Sequence, residues 1–135
     1  MMNFKTLLPM LLALLVGYQA ITVEARRVAR GRCSNRESKY KLKAYREGSA
    51  RIDIEFEVET EDATQVDTWQ VDITYDGGTV WSGRKEAPIR WGDAEFEVEV
   101  SNIRNRGDVS DESITAHAVN LRTGEECFAS GTNPH

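Results

Sequence analysis

The chain is poor in the side chains that carry most enzyme chemistry. Its 135 residues include two histidines, two cysteines and three prolines. His135 is the last residue, so a serine triad would have to use His117, and that residue reads as an outward position of a strand. The two cysteines are far apart, which excludes a Cys-x-x-Cys redox pair. If they are oxidised, a Cys/His zinc site also lacks ligands. Gly77-Gly78 is followed by neither a helical pattern nor Gly-Lys-Ser/Thr, so it reads as a hairpin turn and not as a phosphate loop. No catalytic residue, metal site or cofactor is expected from these patterns, and nothing calls for a nucleic-acid partner.

Helical periodicity is also missing after residue 25, where the period is two. In Ala50 to Glu59 the set Ile52, Ile54, Phe56, Val58 alternates with Asp53, Glu55, Glu57 and Glu59, as in a strand with one buried face. Lys39 to Arg46 alternates Tyr40, Leu42 and Ala44 against lysines, and Glu47-Gly48-Ser49 predicts a hairpin between the two. Val66 to Tyr75 puts Trp69, Val71, Ile73 and Tyr75 on one face, and Asp76-Gly77-Gly78 turns into a strand from Thr79 to Arg84. Ala94 to Ser101, Glu112 to Asn120 and Glu125 to Ser130 complete the set, the last two joined through Arg122-Thr123-Gly124. Seven short strands predict an all-β, seven-stranded antiparallel sandwich of immunoglobulin or fibronectin-III type, with a small β-barrel as the alternative.

The start of the chain differs. Lys5, the apolar run Leu7 to Val16 and then Val23-Glu24-Ala25 read as a signal peptide over 1–25, cleaved on secretion to an extracellular or periplasmic space. A signal-anchored membrane protein is the alternative, because Thr6 to Val23 would reach across a bilayer with Arg26, Arg27, Arg30 and Arg32 behind it. Pro9, Gly17 and Gln19 interrupt that run. The expected organisation is a signal peptide (1–25), a basic arm (26–38), the β-sandwich (39–131) and a tail (132–135). No membrane span is expected after cleavage.

Net charge is −5, but it is unevenly spread. Residues 26–51 hold 10 basic and 2 acidic side chains, net +8, and 52–135 hold 6 and 19, net −13. The arm, with Arg26, Arg27, Arg30, Arg32 and Arg36, either touches an anionic surface or is a solvated terminus ahead of a cationic strand that neutralises its acidic neighbours. Arg27-Val28-Ala29-Arg30 is also open to processing. If the second strand lies between the first and the fifth, Glu55, Glu57 and Glu59 stand beside Lys39, Lys41 and Lys43 on one flank and Glu95, Glu97 and Glu99 on the other.

Cys33 and Cys127 most simply pair in a secreted chain, closing the domain at its ends. Two binding candidates remain. Arg106-Gly107-Asp108, in the loop Asn102 to Asp111, is the tripeptide of integrin ligands, although its Gly and Asp are ordinary loop residues. Arg90-Trp91 either offers an exposed ring to a sugar or a protein, or plugs the open end of the sandwich together with Ile89. A glycosidase pair drawn from Glu55, Glu57, Glu95 and Glu97 competes with a plain acidic outer face.

The segments Cys33-Ser34, Lys41-Leu42-Lys43, Arg51 to Val58, Trp69, Asp76-Gly77, Phe96-Glu97-Val98, Asp111 to Ala118, and Asn120 through Thr123-Gly124-Glu125 to Cys127 resemble small secreted Cys-framed proteins of actinobacterial type. The resemblance implies secretion, one disulfide and a β-fold; it implies no activity. The arm and the Trp91 loop are not part of it. The expected protein is therefore a secreted, monomeric, non-enzymatic interaction or envelope-associated module whose partner is an extracellular protein or polysaccharide. An adhesive ligand and a carboxylate-based secreted hydrolase are the alternatives.

Overall fold

The computed structural model describes residues 24–48, 50–104 and 113–132. All regular structure among them is strand: β1 (Glu24–Arg32), β2 (Ser38–Glu47), β3 (Arg51–Thr60), β4 (Asp67–Tyr75), β5 (Gly78–Ala87), β6 (Ile89–Arg90), β7 (Asp93–Arg104), β8 (Ser113–Asn120) and β9 (Glu126–Thr132). They form two antiparallel sheets, ordered β1-β2-β3-β7-β6 and β5-β4-β8-β9, with no closed barrel. Among the described residues no helix is long and apolar enough to cross a membrane.

Seven of the nine strands coincide with the alternating segments, because a period of two with branched and aromatic residues on one face has only that solution. Their inward residues form the core. Leu42, Ile52, Ile54 and Phe56 from one sheet meet Trp69, Val71, Ile73 and Ile114 from the other, all buried. Phe96 lies at the centre, with its ring centroid 6.4 Å from Phe56 and 5.6 Å from Trp69, separations at which aromatic rings attract.

The two further strands correct the expected count of seven. β1 occupies much of the segment read as a basic arm and pairs along β2, from Glu24 opposite Arg46 to Arg32 opposite Lys39. The boundary expected at Ala25 thus falls inside a strand. Alternation did not reveal β1 because the register shifts between Arg27 and Ala29, which puts two residues between the arginines opposite Lys43 and Lys41. Its described inward positions carry small residues: Ala29 packs against the core, and Gly31 lies under Tyr40, whose hydroxyl would be 2.8 Å from a Cβ at that position. β6 is only two residues long, with Ile89 opposite Ala94 and Arg90 opposite Asp93, too short for periodicity to show.

The Cys33–Cys127 disulfide is present, with Cα atoms 4.3 Å apart. It fastens the β1–β2 turn to β9 and so joins the two sheets. Ser34 N–H donates to the Glu126 carbonyl at 2.8 Å, and Glu126 N–H donates to Ser34 Oγ at 2.9 Å, tying the same two segments beside the bridge.

Candidate functional site

The outer face of the first sheet is a grid of charge. Strand register places Arg32, Lys39, Glu59 and Glu95 in one row across β1, β2, β3 and β7, and Arg30, Lys41, Glu57 and Glu97 in the next. Lys43, Glu55 and Glu99 continue the third row, with Arg27 at the β1 position. The adjacency expected for the acidic ladders is therefore found: β3 lies between β2 and β7. Toward β2 it attracts, with Lys39 Nζ 3.6 Å from Glu59 and Lys41 Nζ 3.9 Å from Glu57. Toward β7 it repels. Partial burial and then the neighbouring Glu55 and Glu57 carboxylates raise the pKa of Glu97. Glu57 is also raised, chiefly by burial, although Lys43 and Lys41 oppose the shift. Tyr45 donates to Glu55 at 2.9 Å, and that bond to a carboxylate pushes the phenol up to about 12.

Glu55, Glu57 and Glu97 each bring one carboxylate oxygen within 4.8 Å of the others. They sit on an open, solvated sheet face. That is closer than the roughly 5–9.5 Å separations of glycosidase pairs, which also flank a substrate in a cleft. At the basic end an open groove of about 360 Å³ runs among Arg30, Arg32, Lys39 and Lys41 and reaches Glu57, Glu59 and Glu95.

Trp91 lies at the rim of this face, and here one expected role is overturned. It does not plug the sandwich: it is 100% exposed, and Ile89 is 36% exposed. Arg90 pairs with Asp93, so Trp91 and Gly92 are the two central residues of a tight hairpin, with φ of 55° and 85°. Two successive positive φ values define a type I′ turn, whose first position favours Asn or Asp and disfavours a bulky ring. The turn aims the indole into solvent, away from the core. Beside it an open groove of about 610 Å³ is walled by Pro88, Phe96 and Trp91 and edged by Glu59, Asp93, Glu95, Glu97 and Arg90.

The other candidates scatter. Arg106-Gly107-Asp108 lies outside the described residues. Arg36 is an exposed turn residue with φ of 63°, its carbonyl accepting from Arg32 Nη1 at 3.4 Å. His117 is on the outer face of the second sheet, 3.9 Å from Glu126 and edge-on to the exposed Phe128 ring at 6.2 Å. The cysteines are spent in the bridge. Of the residues named for binding that the structure describes, Arg90 and Trp91 share the groove beside Phe96, and Arg30 and Arg32 share the groove at the basic end.

The sequence reading missed a buried carboxylate. Glu125 is 2% exposed, and its two oxygens accept from Ser38 N–H at 3.2 Å and Ser38 Oγ at 2.5 Å. Parity was the available signal, since Glu125 falls in step with the inward Cys127 and Ala129, and Ser38 with Leu42 and Ala44. Asp67 was likewise unremarked. It accepts from Arg122 Nε at 2.7 Å, Arg122 Nη2 at 2.9 Å and Asn120 Nδ2 at 3.0 Å. The Arg122 bonds hold its carboxyl below the usual carboxylate range. Both groups brace turns.

Compared with family models, curated proteins and solved structures, the chain has no significant match among any of the three.

Proposed function

We propose that the protein is a secreted, non-enzymatic interaction module of immunoglobulin/fibronectin-III-like type, and that its partner, an extracellular protein or polysaccharide, docks on Trp91. The observation that carries the reading is a fully exposed indole in a hairpin turn whose backbone favours smaller residues. Strained or costly local choices concentrate where a protein binds. An amphipathic ring held at a fixed angle also loses little entropy when a ligand covers it. The strand orders β2-β3-β7-β6 and β4-β8-β9 support the immunoglobulin-type assignment, since they follow the ABED and CFG orders of that fold, with Trp69 on the strand that usually bears the core tryptophan. The disulfide supports an oxidising compartment.

The test is retention of the disulfide-bonded chain on immobilised cell-surface polymers and on extracellular extracts. Wild type is expected to be retained, and Trp91→Ala to lose retention with its urea midpoint intact. Equal retention of the two proteins overturns the role of the ring. Loss with Asp108→Glu instead would favour the adhesive loop, and turnover of a glycan abolished by a single Glu→Gln change would favour a hydrolase.

A further inference from the structure

We infer that the outer face of the β1-β2-β3-β7 sheet is a self-complementary docking surface whose partner is a second copy of this chain. Two of its rows read, from β1 to β7, positive, positive, negative, negative: Arg32-Lys39-Glu59-Glu95 and Arg30-Lys41-Glu57-Glu97. The third repeats the order from Lys43 through Glu55 to Glu99. Within one copy the middle two columns satisfy each other through the Lys39–Glu59 and Lys41–Glu57 ion pairs. The outer columns do not. β1 and β7 are three strand spacings apart, about 14 Å, which is beyond the roughly 8 Å over which physiological salt lets exposed charges act. Among the described residues no ion pair engages Arg30 or Arg32 of β1 or Glu95, Glu97 or Glu99 of β7, and all five are exposed with opposite charge at the two sides of the face.

A two-fold axis parallel to the strands, placed between β2 and β3, turns this face onto itself. It sets β1 over the other copy's β7 and β2 over the other copy's β3, and it keeps every row in its own row. Each positive column then meets a negative one. A rotation of this kind is the requirement for an isologous dimer. Sheets stack about 10 Å apart, a gap that Arg, Lys and Glu side chains bridge from both sides. Other occupants fit less well. A uniform polyanion or polycation is attracted by one half of the grid and repelled by the other, whereas a second copy meets both halves with the opposite sign. Four strands of about ten residues present roughly 19 by 33 Å, so two copies bury on the order of 1,200 Å², the size of a weak, transient interface. Exposed ion pairs add little each and are screened. The dimer therefore forms at high protein concentration and low salt, in place of the monomer expected in the sequence analysis.

The experiment is sedimentation equilibrium of the disulfide-bonded chain over a range of concentrations, near 0.01 M salt and near 1 M salt, where screening lengths are about 30 and 3 Å. Average mass is expected to climb toward two chains at low salt only. Each substitution acts twice in a two-fold dimer, so Glu97→Lys weakens association about tenfold. The double variants Arg30→Glu/Arg32→Glu and Glu95→Lys/Glu97→Lys are each expected to stay monomeric, and a mixture of the two to dimerise, because β1 of each then opposes β7 of the other with opposite sign. Circular dichroism and urea midpoints confirm that the variants are folded. No association at low salt overturns the inference. So does association that persists near 1 M salt, or a mixture that stays monomeric. Trp91→Ala is expected to dimerise like wild type. Its loss of dimerisation would place the contact at the hairpin and overturn the sheet face, so this result stands or falls apart from partner retention.

Discussion

Single residues show where local preference has been set aside. Trp91 contributes no burial, and its φ of 55° is one that L-residues with large side chains adopt at a cost of about 1–2 kcal/mol. Trp91→Asn is therefore expected to stabilise the domain by a few tenths to about 1 kcal/mol in urea titrations while partner retention is lost. A destabilised Trp91→Asn would mean that the indole packs on something the exposed position hides. Glu125 presents the opposite case, a carboxylate kept inside because Ser38 needs it. Glu125→Ala leaves the Ser38 amide without its acceptor and the Ser38 hydroxyl with only Thr60 Oγ1, 2.7 Å away, and should cost about 1–3 kcal/mol. Glu125→Gln keeps one acceptor and the side-chain volume and should cost less; equal losses would show that the full carboxylate, not packing volume, sets the value.

Between elements, the same strand is attracted on one side and repelled on the other. Glu97 stands opposite Glu57 on β3, so Glu97→Lys turns a like pair into an opposite one. Such pairs are worth about 0.2–1 kcal/mol on a sheet. We expect the variant to raise the urea midpoint at low salt, with the gain shrinking as salt is added, and Lys41→Glu to lower it. No gain at low salt would mean that Glu97 and Glu57 do not face each other. The pH dependence has a definite sign. Glu57 and Glu97 have folded pKa values raised above the ordinary 4.5, so the folded chain holds their protons longer. Their contribution is most favourable below 4.5 and is lost as pH rises through the raised values. Asp67 runs the other way: its bonds to Arg122 stabilise above 3.8 and are lost as pH falls through its lowered value. Urea midpoints of wild type and Glu97→Gln against pH check this, and Glu97→Gln should flatten the decline above 4.5. The β3–β7 adjacency was legible beforehand because alternation and strand order together leave few sandwich topologies. β1 was not, since a bulge, a glycine and four arginines erase the apolar stripe that would have marked it.

At the scale of the whole molecule, one covalent bond crosses between layers that otherwise meet through apolar side chains and, beside the bridge, through the Ser34–Glu126 and Ser38–Glu125 hydrogen bonds. The bridge closes a sequence separation of 94 residues, for which the chain-entropy model gives on the order of 4–5 kcal/mol. Cys33→Ser with Cys127→Ser is expected to keep a β-type circular dichroism spectrum, because eight-residue and longer alternating strands still bury their faces, and to lose a few kcal/mol in urea. A fully unfolded double variant would show that the two sheets cannot hold each other without the clamp.

The sequence by itself determined the all-β class, the inward set from Leu42 to Ala118, the turn at Asp76-Gly77 and the pairing of the two cysteines, because each depends on period, turn chemistry or simple count. Only the tertiary structure decided where Trp91 points. A Trp-Gly pair reads as loop until its flanks, Arg90 and Asp93, are seen to pair, and whether a large apolar residue is core or surface depends on what packs over it. The β1 column of the charge grid belongs to the same class: the lysine column and the two glutamate columns were legible as neighbours, but Arg30 and Arg32 join those rows only once the β1–β2 register has set them beside Lys41 and Lys39.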